Sequence, residues 1–353
     1  MLNFALVGCG RIAKRHSELL GFNNIKGAKL VSVCDNVIDK ANKIAKQFNV
    51  PAYEDMNMMM ESESIDVVVV LTPSGLHAKH VIKLSEYGKH IMVEKPMALC
   101  IEDTENMIDA CDKNNIKLFV IKQNRFNLPV VKLREAVESG RFGKLTLGTV
   151  RVRWARHQAY YDQDSWRGTW DMDGGVLTNQ ASHHVDMLEW MMGDVESVFA
   201  KITTALANVE TEDTAIVTLK FKSGALGIIE ATTATRPGNL EGSISILGEN
   251  GTVVIGGVAV NEMQTWAFED EQAGDSDVLE EFSVNPPNVY GFGHQAYYEH
   301  VVDCINNRSA NLVDGLQGRK SIELISAIYE SAETGKEIFL KFHPKHCRLG
   351  QKS

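Results

Sequence analysis

No stretch of the chain reaches the roughly 18 consecutive apolar residues that a membrane-spanning helix needs, so no part of it is expected to cross a bilayer. Its 6 cysteines stand singly at positions 9, 34, 100, 111, 304 and 347, and none forms a C-x-x-C pair. That spacing offers no disulfide framework and points to a reducing compartment. Cys9 and Cys34 lie inside apolar runs, where a free thiol acts as a small hydrophobe. Positive charge is short as well: 36 Lys and Arg against 46 Asp and Glu leave a net charge of −10. Such an acidic chain is a poor candidate for non-specific binding to a nucleic-acid backbone, which needs clustered Lys and Arg. The start, Met1-Leu2-Asn3-Phe4, has neither a charged leader region nor an A-x-A cleavage site, so a cytoplasmic location is expected. Internal repeats and low-complexity tracts are lacking too. What remains is ordinary globular material, 44% hydrophobic and 23% charged over 353 residues, enough for two cores.

Two rhythms divide the chain. Up to residue 122, short apolar runs alternate with helical patterns. The runs are Leu2–Gly8, Leu30–Asp35, Val67–Thr72, His90–Glu94 and Lys117–Ile121. Their near-continuous apolar character marks strands buried on both faces of a parallel sheet. Helices are expected over Arg11–Leu20, Ile38–Phe48, Leu76–Tyr87 and Glu102–Lys113. Strand–helix alternation predicts a doubly wound α/β domain over 1–122. From 123 to 353 the pattern becomes α+β. A helix over Val130–Ser139, a long strand over Leu145–Ala155 and a helix beginning near Gly175 come first. Between about Val195 and Phe282, apolar and polar residues alternate between Gly-containing turns, which predicts an open, mostly antiparallel sheet. Helical patterns over His294–Asn306 and Gly315–Glu333 follow.

The first strand ends in Gly8-Cys9-Gly10-Arg11-Ile12-Ala13, a G-x-G-x-x-A loop. Gly8 suits a tight turn, Gly10 lets backbone N–H groups approach a pyrophosphate, and a small third residue lets the helix pack closely. The helix N-terminus then faces the phosphates, with Arg11 and Ile12 at the loop. The second strand ends at Asp35, where a carboxylate would meet the ribose hydroxyls and repel a 2′-phosphate. NAD is therefore the expected cofactor. Thr72, Pro73 and His77 follow the third of these runs and are expected beside it.

Two further stretches are more specific. Val93-Glu94-Lys95-Pro96 follows the fourth run, and Gly174-Gly175-Val176-Leu177-Thr178-Asn179-Gln180-Ala181-Ser182-His183-His184-Val185-Asp186 lies in the second half. Together they resemble the Gfo/Idh/MocA oxidoreductases over essentially the whole chain. The resemblance implies a Rossmann domain for NAD, a second domain for substrate binding and oligomerisation, and a nicotinamide at their junction. It makes Lys95 the catalytic lysine and His183 the family histidine, and puts Glu94, Gln123, Trp166 and Arg167 at the cofactor. A common form of the family has an acid four residues before the histidine, where this chain has Asn179. That departure argues against an Asp–His proton relay. On a helix, Asn179, His183 and Asp186 would share one face, so that Asp186 could orient the imidazole. His184 would face elsewhere and is read as structural.

A narrower likeness rests on 122–130, 160–170 and 179–183, with Glu241-Gly242-Ser243 and 256–261. These look like the dehydrogenases that oxidise C3 of UDP-N-acetylglucosaminuronate, a step toward bacterial surface polysaccharide. The likeness implies a UDP-linked uronic acid as partner and a homotetramer formed through the sheet faces. Such a substrate carries a carboxylate and a diphosphate, which Arg125 or Arg167 could hold in bidentate fashion. Asn124, Asn179 and Gln180 could bond sugar hydroxyls or the acetamido group, beside Lys95 and His183. Tyr160, Tyr161, Trp166 and Trp170 could wall the pocket. Arg151, Arg153 and Arg156 alternate along a strand and are read as solvated or interfacial. Met56–Met60 is read as core, and the His343–Cys347 tail as mobile rather than a metal site. Two rivals stand: a relative acting on another sugar or polyol, and a non-catalytic NAD-binding sensor.

Overall fold

The structure is a computed structural model that describes residues 1–284, 291–307, 309–342 and 347–351. Residues 343–346 of the tail read above lie outside it. The chain divides into two compact units, 1–121 with 295–319, and 122–294 with 320–353. The first is thus discontinuous in sequence.

The first unit holds β1 (Leu2–Val7), α1 (Ala13–Gly21), β2 (Ala28–Cys34), α2 (Ile38–Phe48), β3 (Ala52–Tyr53) and α3 (Met56–Ser62). After these come β4 (Val67–Val70), α4 (His77–Ser85), β5 (His90–Val93), α5 (Ile101–Lys113) and β6 (Leu118–Val120). Strand order is β3-β2-β1-β4-β5-β6, and every pairing is parallel. Val67 to Val70 are all at 0% exposure, the position that the apolar runs predicted. Each such side chain contributes about 1.5–3 kcal/mol on burial. The two-residue β3 at the sheet edge has no apolar run of its own to announce it. In α3, Met59 and Met60 are buried while Met58 is 61% exposed, so one side of the Met-rich turn is core.

The second unit contains α6 (Leu128–Glu138), β7 (Leu145–Arg153), α7 (Gln158–Tyr161), α8 (Ser182–Met192), β8 (Val195–Thr203), β9 (Thr214–Phe221) and β10 (Leu226–Thr232). Next are β11 (Glu241–Gly248), β12 (Gly251–Gly256), β13 (Glu262–Phe268) and α9 (Val278–Glu281). The chain closes with α10 (Gly293–Asn306), α11 (Gly315–Thr334) and β14 (Ile338–Phe339), and residues 295–319 of this stretch belong to the first unit. The open sheet runs β13-β12-β11-β7-β10-β9-β8-β14. It is antiparallel except where β10 pairs in parallel with β7.

One face of this sheet carries the core, with Val150, Val152, Ile229, Ala231, Ile244 and Ile246 buried. Gly148 admits α8 there: a Cβ would come within 2.7 Å of Leu188 and Met192. The other face leaves Phe199, Ile216, Leu226 and Ile228 exposed. Across it, Arg151 and Arg153 pair with Glu230 and Glu241.

Candidate active site

In the first unit, β1 turns into α1 through Gly8, whose φ of +99° favours glycine. A Cβ there would lie 2.7 Å from the Leu71 carbonyl carbon, so the turn also needs glycine for space. A Cβ at Gly10 would meet no protein atom within 4 Å. Backbone can therefore be approached at Gly10, as a pyrophosphate requires. Asp35 accepts the Cys9 N–H at 2.7 Å and the Val37 N–H at 2.8 Å. It ties the glycine loop to the end of β2 and keeps lone pairs for ribose hydroxyls. Arg11 and Ile12 lead into α1 from this loop. These groups fit a dinucleotide. Burial pushes the Cys9 thiol up to about 12, so it stays a neutral part of the turn.

Thr72 and Pro73 follow β4 and are half-buried, and the Thr72 hydroxyl lies 3.0 Å from His80 Nδ1. His77 is placed differently from expectation. Its ring is 1% exposed, with Nδ1 at 2.8 Å from the Pro96 carbonyl oxygen and Nε2 at 2.8 Å from that of Thr72. Burial disfavours the doubly protonated ring, which then has one N–H for one of these two carbonyls while its body packs between the Lys95–Pro96 turn and the end of β4. Glu94 is likewise committed: it faces His16 at 3.1 Å and accepts the Lys95 N–H at 2.9 Å. Lys95 itself is half-buried.

The second unit begins with a buried turn, Lys122 to Arg125, the latter three residues in a 3-10 helix (Gln123–Phe126). The amide oxygens of Gln123 and Asn124 are buried without a hydrogen-bond partner. An orphaned buried acceptor costs about 1–3 kcal/mol, and a ligand hydroxyl or amide would relieve it. Arg125 does not present a free fork. Its Nε reaches Asp186 Oδ2 at 2.8 Å and its Nη2 reaches Oδ1 at 2.7 Å, and its guanidinium lies 4.7 Å from the Trp190 ring centre. Lys122 also bonds Asp186, and Ser321 donates to it at 2.9 Å. The expected anion contact at Arg125 gives way to a buried ion pair, because Asp186 would be costly to bury without cations. For the same reason Asp186 is engaged with these three partners and not given over to orienting His183. Burial pushes the Asp186 carboxyl up, but Arg125 and Lys122 outweigh it and hold the group well below the ordinary range. Burial pulls the Lys122 ammonium down against the pull of Asp186.

The helix expected near Gly175 starts at Ser182. Asn179 and Gln180 make helix-like bonds back to Gly175 and Val176, but the Ala181 N–H also returns to Val176 and breaks the register. Asn179 and His183 therefore do not share one continuous helix face. Asn179 is held by Asp173, which is 1% exposed and also accepts the Gly168 N–H at 2.8 Å. One buried carboxylate thus joins the Arg167–Gly168 loop to Asn179. Glu212 supports the same segment, accepting the Leu177 N–H at 3.0 Å and the Tyr329 hydroxyl at 2.9 Å. A Cβ at Gly175 would meet Glu212 Oε2 at 2.0 Å. Gln180 and His183 are buried. His184 packs edge-on to Trp154, neither ring nitrogen has a partner, and burial pulls it down to about 3, as suits a structural residue.

Arg167 lies over the Tyr160 and Trp166 rings at 4.8 and 4.5 Å, bonds the Tyr160 hydroxyl at 3.0 Å and meets Asp164 at 3.0 Å. The aromatic loop splits. Tyr160 and Trp166 are partly exposed, whereas Tyr161 bonds Thr233 and Trp170 bonds the Glu210 carbonyl from within the core. Sequence reasoning missed Asp173, Glu212 and His16. The partners of Glu212 and His16 lie up to 282 positions away, with no spacing signal to find them.

A glycine loop tied to a carboxylate at the end of the second strand, and a second unit built on an open sheet, suit an NAD-binding oxidoreductase. Residues 2–122 match the oxidoreductase-family model for an NAD-binding Rossmann fold, and residues 134–340 match its C-terminal alpha/beta domain. The chain belongs to this GFO/IDH/MocA family. It is 43% identical to the WlbA dehydrogenase of Chromobacterium violaceum, solved with NADH and UDP-GlcNAcA (96% of this chain, 95% of that one, TM-score 0.89). The Bordetella pertussis WlbA dehydrogenase, solved with the same two ligands, is 40% identical (96% and 98% coverage, TM-score 0.88). A myo-inositol 2-dehydrogenase of Thermotoga maritima is 30% identical over 280 residues, 78% of this chain and 80% of its own.

Proposed function

We propose that this protein oxidises the C3 hydroxyl of UDP-N-acetylglucosaminuronic acid to a ketone with NAD. The observation that carries the reading is identity of 40% and 43%, across nearly the full length, with two dehydrogenases crystallised with NADH and UDP-GlcNAcA. NAD, when bound, supplies the acceptor for the C3 hydride. The chain's own residues must bind the sugar nucleotide and take the hydroxyl proton. Lys95 and His183 serve that proton transfer, with Lys95 also stabilising charge that develops on the oxygen. Asn179 replaces the acid of the common family form. Its amide N–H is given to Asp173, and its amide oxygen is the kind of acceptor that a sugar hydroxyl takes. Arg167 is the cation for the substrate carboxylate or diphosphate, since Arg125 is committed to Asp186. A 3-keto sugar is a substrate for transamination, which places the product on a route to a diacetamido-uronic acid of surface polysaccharide.

A homotetramer forming through the open sheet fits the uncovered face, where Phe199, Ile216 and Ile228 stay exposed beside a ladder of paired charges. Among the described residues no helix is long and apolar enough to cross a membrane, in keeping with action in the cytoplasm. The test is incubation with NAD and UDP-GlcNAcA, free N-acetylglucosaminuronate and myo-inositol, followed at 340 nm with mass analysis of the product. NADH formation with the UDP-linked sugar and loss of two hydrogens from it are expected. Equal turnover of the free sugars would point to a polyol or free-sugar dehydrogenase, and NAD binding without reduction by any of them to a sensor.

A further inference from the structure

Three side chains of the first unit form a hydrogen-bonded chain that ends on the Lys95 backbone. The Tyr298 hydroxyl lies 2.7 Å from His16 Nδ1, and His16 Nε2 lies 3.1 Å from Glu94 Oε1. Glu94 Oε2 accepts the Lys95 N–H at 2.9 Å. His16 and Tyr298 are fully buried, and Glu94 is 7% exposed. Chemistry assigns the protons. An ionised carboxylate only accepts, so His16 Nε2 carries the imidazole proton. Its Nδ1 then offers a lone pair, and the Tyr298 hydroxyl donates to it. Burial and the neighbouring Glu94 push the Tyr298 hydroxyl up, which keeps it a donor. Every link can therefore pair one donor with one acceptor.

We propose that His16 and Tyr298 are positioning residues for Lys95, acting through Glu94. This rests on the reading of Lys95 as an acid–base group. A glutamate at a strand end normally turns outward and keeps its rotamer freedom. Here the side chain folds back onto the next peptide, and His16 holds it there. His16 is fixed in turn by Tyr298, whose ring also meets Phe4 edge-on at 5.6 Å. The peptide from which the long Lys95 side chain departs is thereby held from one side by a chain of buried bonds. Releasing that peptide would let the ammonium wander from the reacting hydroxyl. Glu94 serves Lys95 in this arrangement, where the resemblance alone put it at the cofactor.

The test uses the full chain with NAD and UDP-GlcNAcA. His16→Ala, Tyr298→Phe, Glu94→Ala and Glu94→Gln are compared for kcat, KM, NAD affinity and melting temperature, with Lys95→Ala as the reference. His16→Ala should lower kcat by roughly ten- to a hundredfold, the scale of a misplacement of about 1 Å, with NAD affinity held within about twofold. Tyr298→Phe should lower kcat in the same direction and by less. Glu94→Gln can rebuild all three bonds with the imidazole proton moved to Nδ1: the amide oxygen takes the Lys95 N–H and the amide N–H faces Nε2. It should therefore retain more kcat than Glu94→Ala. If His16→Ala fails to fold, Tyr298→Phe and the two Glu94 variants decide the matter. Normal kcat in those variants, with Lys95→Ala inactive, would overturn the positioning role and leave Lys95 standing. A fall in NAD affinity that matches the fall in kcat would move the chain of bonds to the cofactor site and overturn it as well. Full turnover in Lys95→Ala would instead remove the acid–base reading of Lys95 itself.

Discussion

Glu212 should make this protein lose stability as pH rises toward neutrality. The carboxyl is 3% exposed, takes two hydrogen bonds on Oε1 and none on Oε2. Burial raises it from 4.5 to about 7, although the Leu177 N–H, its own backbone and the Tyr329 hydroxyl oppose that rise. The native chain therefore binds a proton that the unfolded chain has released. The contribution is complete below about pH 4.5, is lost progressively as pH climbs, and has gone above about 7. The interval from 4.5 to about 7 corresponds to about 3 kcal/mol at about 1.4 kcal/mol per pH unit. Glu212→Gln keeps the shape, cannot ionise, and should be free of this loss. Urea unfolding of both proteins, followed by tryptophan fluorescence at several pH values from about 4.5 to 8, reads the difference directly. The variant should gain about 3 kcal/mol relative to the wild type across that range. Parallel stability curves would refute the reasoning and mean that Glu212 is ionised in the native state.

The remaining expectations concern separate parts of the chain. Asp35→Ala should narrow the preference for NAD over NADP by about tenfold or more, or about 1.4 kcal/mol, in competitive binding assays; an unchanged preference would remove Asp35 from the ribose. Arg167→Ala should weaken binding of the sugar nucleotide and leave NAD binding largely intact, with Arg167→Lys recovering only part because it lacks the planar fork; a loss of NAD affinity in titration would reassign the residue. Asp173→Ala should lower unfolding free energy by about 1–3 kcal/mol, because the Gly168 N–H and the Asn179 amide lose their acceptor; denaturant melts check this. For His184, burial holds the folded ring near 3 against an ordinary 6.5, so stability should fall as pH drops between those values. His184→Met should flatten that acid limb in thermal melts, and an unaltered limb would mean that the native ring is already protonated.

The architecture was legible where local chemistry sets it. The runs ending at Gly8, Asp35 and Thr72 became parallel strands, and the alternation after Val195 became the open sheet. The short β3 was invisible because its pairing with β2 comes from the sheet edge and not from an apolar pattern. The return of residues 295–319 to the first unit was equally hidden, since periodicity reports a helix and not what it packs against. Within the site, the helix expected near Gly175 began later because the Ala181 N–H turns back to Val176. That one backbone bond removed the shared face assumed for Asn179 and His183.

By itself, the sequence determined the glycine loop, the acid after β2 and the residues Lys95 and His183 as candidates. These features depend on short spacings, on φ angles that few residues adopt, and on side-chain chemistry that does not change with context. Only the tertiary structure decided what each buried polar group is spent on. It gave Asp186 to Arg125, Lys122 and Ser321, and it gave Glu94 to His16 and the Lys95 peptide. Those choices join residues that lie as far as 135 positions apart. The physical reason is that a charge leaving water must find its partner wherever the fold has placed one, and spacing along the chain carries no record of that place.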